Sequence, residues 1–454
     1  MLKVWLRYDN RYSYYRIIII ANIIVIVIVT IYNTNTDIQT GRVPLSVRKA
    51  LIILGNACVS HVRLHLPFPL FAKVVGVIAT NRYIQKLSLK FRTAGKISMM
   101  QSQLILNTFS NIGSNSDEIP ESHFTKLLTQ SSIDHVANNA AVCLCKLNQL
   151  TIYGWPEYPI NVKGGMNINS EEYCKRLLGF MGSSLQSLSF LDSSPNGLFG
   201  VIENSCASLR HLKIEGAQNP SDLVKYHSSL LEDLSLLNTG IILKGKLQLP
   251  NLISLEMSDC DLLKSHVNDI IQPSQSKWRS AADVIQSIKA MPVSLMELSY
   301  RMSSEFANIF ITSVGLHLPN LNVLKLTMSD YQDVPNHIEP STITTLRDGC
   351  PYLTNLEIID SEIKFESSSF QLLSSYPNLQ KIKMRYEDDY VDVLPQMLKE
   401  SRSLSYIEFF ECQDDIIAEE GEGYWVNMEN KIDAIVHRFP HVQITLQNII
   451  PFED

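Results

Sequence analysis

A short apolar pattern recurs along most of this chain and constrains its fold more than any other feature. In each copy, a second apolar residue follows the first after three positions and a third follows after two more, as in Leu209, Leu212 and Ile214. The copies begin at Val59, Ile84, Leu147, Leu185, Leu209, Leu231, Leu252, Leu295, Leu321, Leu353, Leu379, Leu404 and, less clearly, Val442. A motif that returns about every 20 to 30 residues, or at a small multiple of that, predicts stacked copies of one structural unit.

The last two apolar positions of each copy predict a short strand with one buried face. Residues two apart in a strand lie on the same side, and the first apolar residue packs where the chain enters the strand. A single copy cannot bury this face alone, so neighbouring copies must stack. Apolar residues at helical spacing in residues 174–180 and 370–373 predict helices between strands. The predicted fold class is α/β: a leucine-rich repeat solenoid, a curved horseshoe of about 13 to 15 repeats with a parallel sheet on its concave face and helices outside.

This interpretation makes a definite prediction about one leucine from each of six copies. All six should be buried side by side on strands: Leu188, Leu212, Leu234, Leu255, Leu324 and Leu356. Leucines in separate cores, or on helices, would contradict the predicted fold.

Cysteines at fixed places in the pattern carry a resemblance to a known family. Cys260 and Cys412 lie three residues after the third apolar position, and Cys206 and Cys350 lie three residues before the first. The chain thereby resembles, over roughly residues 57–450, the cysteine-containing leucine-rich repeats of F-box proteins and their relatives, which are of the ribonuclease-inhibitor type. The resemblance implies a protein ligand on the concave face, substrate recognition for a cullin-type ubiquitin ligase, and a ubiquitin-ligase adaptor as a partner.

The F-box that such proteins place before their repeats is not recognisable here. Its only echo is residues 43–51, and the first repeat strand begins at about Val62, which leaves no room for a full box. The resemblance therefore implies either a ligase subunit or a relative that has lost its F-box.

The N-terminus contains an apolar run from Ile17 to Ile31, interrupted only by Asn22 and Thr30 and preceded by basic residues. It is shorter than the roughly 20 residues that span a bilayer. Three alternatives remain: a signal anchor, a buried or interfacial segment, or an extension that is not native to the folded protein. We divide the chain into residues 1–40 and a repeat region, 41–450, and expect the first segment to lie apart from the repeats.

An anchored N-terminus would make the chain a membrane-bound leucine-rich repeat receptor or adhesion protein. However, Asn-X-Ser/Thr with X other than proline does not occur in the 454 residues. Because this is the acceptor for N-glycosylation, its absence favours an intracellular protein, in the cytoplasm or nucleus.

No constellation of residues predicts catalysis, a cofactor or a metal site, so we expect a non-enzymatic protein. His61 and His65 have helical metal-ligand spacing but belong to a predicted strand, and the pair Cys143 and Cys145 has no second pair to complete a zinc site. The net charge of −7 argues against nucleic acid as a partner.

The outward positions of the predicted strands are the candidate protein-binding residues. They comprise Arg63, Lys86, Tyr153, His211, Lys213, Glu256, Arg301, Lys381, Lys383, Arg385, Tyr406 and Phe410. Mixed charges with a few aromatic side chains suit a protein interface. Lys381, Lys383 and Arg385 alternate on one strand and predict a basic patch for an acidic partner, unless neighbouring acids neutralise it within the chain. Those acids are Glu387, Asp388 and Asp389.

Overall fold

The fold is that of a computed structural model. The structure describes residues 2–4, 17–19, 26–30, 61–67, 84–92, 147–154, 160–161, 167–168, 174, 178–179, 182–191, 197–215, 223–237, 245–258, 280–302, 304–328, 336–359, 363–412 and 421–449. The chain divides into two compact units, Met1–Leu231 and Glu232–Asp454. In both units parallel strands form the main sheet.

The first unit is built from short strands, and those at His61–Pro67, Lys86–Arg92, Gln149–Tyr153, Ser187–Leu191 and His211–Glu215 lie at predicted repeat positions. In chain order its elements are β1 (Leu2–Val4), β2 (Ile17–Ile19), β3 (Ile26–Thr30), β4 (His61–Pro67), β5 (Lys86–Arg92), β6 (Gln149–Tyr153), β7 (Ile160–Asn161), β8 (Asn167–Ile168), β9 (Ser187–Leu191), helix α1 (Leu198–Ser205) and β10 (His211–Glu215). The parallel sheet of this unit has the order β10-β9-β6-β5-β4-β3. The pairs β1–β2 and β7–β8 are antiparallel.

The second apolar position of each copy forms a buried ladder across this sheet. Val62 aligns with Leu87, Leu87 with Leu150, Leu150 with Leu188, and Leu188 with Leu212. All five side chains are buried. The predicted places of Leu188 and Leu212 are therefore confirmed.

The expectation that residues 1 to 40 lie apart from the repeats is wrong for Ile26–Thr30. This segment is β3 and pairs in parallel with β4, Ile26 opposite His61 and Thr30 opposite His65. Its residues are β-branched throughout, which suits an extended conformation, and β4 offers an edge whose backbone groups need partners. Hydrophobic uniformity suggested a separate segment, whereas backbone pairing places this part in the sheet.

The second unit repeats the same plan, with helices between many of its described strands. In chain order its elements are β11 (Asp233–Leu237), β12 (Ser254–Ser258), α2 (Ala281–Ala290), β13 (Glu297–Met302), α3 (Ala307–His317), β14 (Val323–Met328), β15 (Asn336–Ile338), α4 (Pro340–Gly349), β16 (Asn355–Ile359), β17 (Ile363–Phe365), α5 (Ser367–Leu372), β18 (Lys381–Arg385), α6 (Asp388–Glu400), β19 (Tyr406–Cys412), α7 (Gly421–Arg438) and β20 (Gln443–Ile449). Its parallel sheet has the order β20-β19-β18-β16-β14-β13-β12-β11. β15 and β17 form a separate parallel pair.

The core of the second unit lies between this sheet and its helices. Leu234, Leu255, Leu324 and Leu356 are all buried on strands of this sheet, so the other four predicted leucines are also confirmed. The rings of Tyr300 on β13 and Phe310 on α3 have their centroids 4.9 Å apart. Successive helices also pack on one another, α2 on α3 and α3 on α4.

A recurring turn sets the start of each strand. The backbone N–H of Leu321 donates to the carbonyl of Leu318 at 3.2 Å, and the same bond recurs from Leu353 to Cys350. The side chain of Asn320 donates to the carbonyl of Val293 in the preceding copy at 2.9 Å. The backbone bonds close the turn within a copy, and the Asn320 bond joins a copy to the preceding one. Both kinds of bond satisfy backbone groups that the strand ladder leaves open.

The cysteines that carry the family resemblance are structural where the structure describes their side chains. Cys206 and Cys350 are buried at the ends of α1 and α4, and the Cys350 thiol donates to the carbonyl of Leu318 at 3.3 Å. Cys412 ends β19. Cys260, the pair Cys143 and Cys145, and the F-box echo at 43–51 lie outside the described residues.

Candidate protein-binding surface

The outward side chains of the strands form straight rows, because the parallel strands pair in register. In the second unit the central row reads Ser235, Glu256, Ser299, Lys325, Glu357, Lys383, Glu408 and Thr445. From Lys325 to Glu408 the charges alternate in sign, so neighbours on adjacent strands attract each other.

Glu357 on β16 holds one lysine from each neighbouring strand. The Nζ atom of Lys381 on β18 lies 3.0 Å from one carboxylate oxygen, and that of Lys325 on β14 lies 3.8 Å from the other. The side chain of Glu357 is only 9% exposed, against 32% for Lys381 and 46% for Lys325. A carboxylate this buried needs close cations to offset its lost hydration.

Glu408 on β19 is held in the same way. Lys383 donates to one of its carboxylate oxygens, and the hydroxyl of Tyr406 lies 3.2 Å from the other. The Tyr406 hydroxyl also lies 3.1 Å from Oγ1 of Thr445 on β20. Burial alone would raise the pKa of Glu408, but the hydrogen bond and charge of Lys383, with smaller help from Tyr406 and Lys381, bring it below its ordinary value.

Lys381 links these two carboxylate sites. Besides its bond to Glu357, its Nζ atom lies 5.5 Å from the centre of the Tyr406 ring. Partial burial works to lower the pKa of Lys381, but the hydrogen bond to Glu357 and the carboxylates of Glu357 and Glu408 outweigh it, so that the pKa is raised. Lys381 therefore stays charged and stays engaged within the surface.

Arg385 and Lys364 share the carboxylate of Glu387. Arg385 Nε lies 3.2 Å from Oε1, and Lys364 Nζ lies 3.0 Å from Oε2. Neutralisation within the chain thus includes Glu387, as the alternative interpretation of the sequence expected. Asp388 instead accepts a hydrogen bond from the Tyr386 hydroxyl at 3.1 Å.

The positive charges of the predicted basic patch, Lys381, Lys383 and Arg385, are therefore compensated within the chain. Each of its three cations already faces a glutamate of the same chain. Two of those glutamates, Glu357 and Glu408, come from adjacent strands. What the surface presents is a set of fixed ion pairs, which is a different target for a partner than a bare positive charge.

Phe410 does not belong to the accessible surface. We expected it to point outward with Tyr406, but its side chain is 1% exposed. A large apolar side chain gains more from leaving water than it would from lying on a polar face. The remaining candidates of this unit lie on the outward face: Glu256 accepts a hydrogen bond from Ser235, and Arg301 is half-buried.

The first-unit candidates lie on neighbouring strands of their own sheet. Lys86 is opposite Gln149, and His211 is opposite Ser187. Tyr153 aligns with Lys90, Lys213 with Ser189, and Arg63 with Ser88. Lys86 and His211 are exposed, while Tyr153 and Lys213 are half-buried.

Glu357, Glu408 and Lys364 carry much of this charge network and were not among the candidates chosen from the sequence. A signal for the two glutamates existed. Alignment of the apolar triplets puts Glu357 and Glu408 on either side of Lys383 in one row. Lys364 lies on β17, outside the main sheet, and no repeat position marks it.

Among the described residues, no helix combines the length and the apolar composition needed to cross a bilayer. In the same part of the chain, no group of three or more His, Cys, Asp or Glu side chains is arranged to hold a metal ion.

Comparisons with known proteins leave the family open. No protein-family model matches the chain, and no curated protein matches it. Among solved structures it is similar to the crystal structure of the Rad7 and Elc1 complex in yeast, with 15% sequence identity and a TM-score of 0.41, covering 83% of this chain and 85% of that chain. At these values the likeness defines neither a family nor a function.

Proposed function

We propose that this chain is a non-enzymatic leucine-rich repeat solenoid that binds another protein through the outward faces of its parallel strands. The observation that carries the proposal is the set of in-register polar rows. On β14, β16, β18 and β19, ion pairs between strands and a hydrogen bond within β19 hold these side chains in place. A polar surface that is ordered before binding loses less conformational entropy when a partner docks.

The character of the rows suits a protein partner better than a small molecule. Charges of both signs alternate, and Tyr406 adds an aromatic side chain beside Lys381. Mixed polar groups with an occasional aromatic are typical of protein interfaces, where charge complementarity determines specificity.

The more specific role that we propose is substrate recognition for a cullin-type ubiquitin ligase, or the role of a relative that has lost its F-box. Its support is the resemblance of the repeats, through cysteines such as Cys206 and Cys350, to F-box-associated repeats. The absence of Asn-X-Ser/Thr acceptors supports placing this role in the cytoplasm or nucleus.

The test is affinity purification of tagged full-length protein with quantitative mass spectrometry. One variant carries Glu297→Arg and Ser299→Arg, which place two bulky cations on the outward face of β13. The matched control carries Ala282→Arg and Gln286→Arg at exposed positions of α2. Melting curves of both variants should match wild type, because the changes replace exposed or half-buried side chains.

We expect at least one protein that binds wild type and the α2 control to be depleted about tenfold or more with the β13 variant, a loss typical of an interface disrupted near its centre. When that partner protein is purified, calorimetry should show that it binds wild type and the α2 control more tightly than the β13 variant. Capture that is the same for all three proteins would contradict binding through the strand face. Co-purification of a cullin and an adaptor supports the ligase role, and a face-dependent partner without them favours a relative lacking the F-box.

A further inference from the structure

The outward faces of the two sheets differ in charge. Among the outward positions from β4 to β10 whose side chains the structure describes, the basic residues are Lys86, Lys90 and Lys213, accompanied by His61 and His211. Glu215 is the single carboxylate among these same positions. In the second unit, by contrast, acidic side chains such as Glu357 and Glu408 accompany the lysines in the rows. A basic face therefore exists on a chain whose net charge is −7.

Lys86, Lys90 and Lys213 on the outward rows of the first unit are not engaged as Lys381 and Lys383 of the second unit are. Lys86 and Lys90 are exposed and Lys213 is half-buried, and within the described parts of the chain none of the three has an ion-pair partner. Lys381 and Lys383, at comparable positions, each bond to a glutamate. Unpaired cations in parallel rows keep their full attraction for an external anion.

Neutral hydrogen-bonding groups lie between these cations. Gln149 is opposite Lys86, and Tyr153 is opposite Lys90. Ser189 is opposite Lys213, with Thr151 next in the row. Short hydroxyl and amide side chains of this kind can bond to carboxylates and to peptide backbone groups.

We propose that this basic face, defined by Lys86, Lys90 and Lys213 with Gln149 and Tyr153 between them, is the docking site for an acidic, extended peptide segment of the protein partner. The inference rests on the proposed protein-binding function and adds the location and the chemistry of the partner. The carboxylates of the segment pair with the three lysines, and its backbone bonds to the neutral side chains between them.

A nucleic acid is the other polyanion to consider, and the observations favour the peptide. Proteins that bind nucleic acid are typically basic overall, whereas this chain has a pI of about 5.9. Single-stranded nucleic acid also needs aromatic platforms for its bases, and Tyr153 is the one aromatic side chain among the described outward positions from β4 to β10.

The test is fluorescence anisotropy with the full-length protein. The probe is a labelled peptide of about ten alternating Glu and Ser residues. At about 3.3 Å per residue it is long enough to cross the strands from β5 to β10 at about 4.8 Å spacing. A peptide with Gln for Glu and a mixed-sequence single-stranded DNA are the comparison probes. The face variant is Lys86→Ala with Lys90→Ala, and the matched control is Lys289→Ala with Lys399→Ala, exposed lysines on α2 and α6.

We expect the Glu peptide to bind more tightly than the Gln peptide, and to lose about tenfold in affinity with the face variant but less than about twofold with the control. The difference should shrink as salt rises, since these charges are exposed. Equal binding of the two peptides, or equal loss in both variants, overturns the acidic-peptide site. Tighter binding of the DNA, lost in the face variant, overturns it in favour of nucleic acid. In each of these cases, a protein whose capture in the affinity purification is lost with the β13 variant would still support the proposed function.

Discussion

Gly315 and Gly349 meet where α3 and α4 cross, and the contact leaves no room for a side chain. A Cβ atom on Gly349 would lie 1.7 Å from the carbonyl oxygen of Gly315. A Cβ atom on Gly315 would lie 2.6 Å from the carbonyl oxygen of Thr345. Because both obstacles are backbone atoms, the two helices could accommodate a larger residue only by moving apart.

Gly349→Ala should therefore destabilise the protein by about 1–3 kcal/mol through overpacking. Gly200→Ala on α1 is the matched control, since a Cβ there meets nothing within 4 Å. It should be neutral or stabilising by up to about 1 kcal/mol, because alanine favours a helix over glycine. Urea unfolding monitored by circular dichroism measures both. A Gly349→Ala protein as stable as wild type would mean that the helices do not pack this closely.

The pair formed by Lys381 and Glu357 should show a measurable coupling. Lys381→Ala leaves a nearly buried carboxylate with only the more distant Lys325, and we expect a loss of about 1–3 kcal/mol. Glu357→Ala alone and the double variant complete a cycle that isolates the pairwise energy. Lys399→Ala, at an exposed position of α6, should change stability by less than about 0.5 kcal/mol. Simple additivity across the cycle would show that the two side chains do not interact.

Glu408 should make stability depend on pH on the acid side. Its pKa is lowered in the folded state, so it contributes stability that is complete above its unfolded pKa of about 4.3 and is lost as the pH falls through the folded value. In this window the unfolded chain binds more protons, so stability rises with pH. Urea midpoints measured from neutral pH downward should fall less steeply for Glu408→Gln than for wild type. Glu203→Gln, at an exposed position of α1, should retain the wild-type slope, and an unchanged slope in Glu408→Gln would contradict the assignment.

Cys206 and Cys350 should be nearly inert to alkylation in the folded protein. Burial raises the pKa of each thiol to about 12. At pH 8 the reactive thiolate is then roughly a thousandfold rarer than for an ordinary cysteine. Iodoacetamide labelling followed by peptide mass spectrometry should show both modified slowly in buffer and rapidly in concentrated urea. Fast labelling of the native protein would contradict their burial.

Much of the strand architecture could be predicted because a repeated apolar triplet can bury its side chains by forming short stacked strands. Leu321, Leu324 and Leu326 are buried because an apolar residue at the strand entry and two more on one strand face all gain from leaving water. Short-range spacing carries this information, so a single chain was enough. Apolar residues at helical spacing in residues 370–373 likewise predicted a helix, which the structure places at Ser367–Leu372.

The ion pairs could not be predicted with the same ease. Lys381 bonds to Glu357, 24 positions earlier, and Lys383 bonds to Glu408, 25 positions later. Only the register of adjacent strands brings these partners together, and rotamers decide which carboxylate each lysine reaches. Sequence neighbours such as Glu387 are easier to foresee, and that pairing with Arg385 was among the alternatives.

By itself the sequence determined which residues enter the repeat strands and which side of most of those strands faces the core, because both depend on hydrophobic periodicity over a few residues. Only the tertiary structure decided that Ile26–Thr30 joins the sheet beside β4 and that Phe410 is buried. It also decided that the lysines of β18 are paired, whereas Lys86 and Lys90 have no ion pair within the part of the chain that the structure describes. These outcomes depend on which strands become neighbours and on how closely they approach. Hydrogen bonds, charge pairs and close packing act over a few ångströms in space, between residues that lie far apart along the chain.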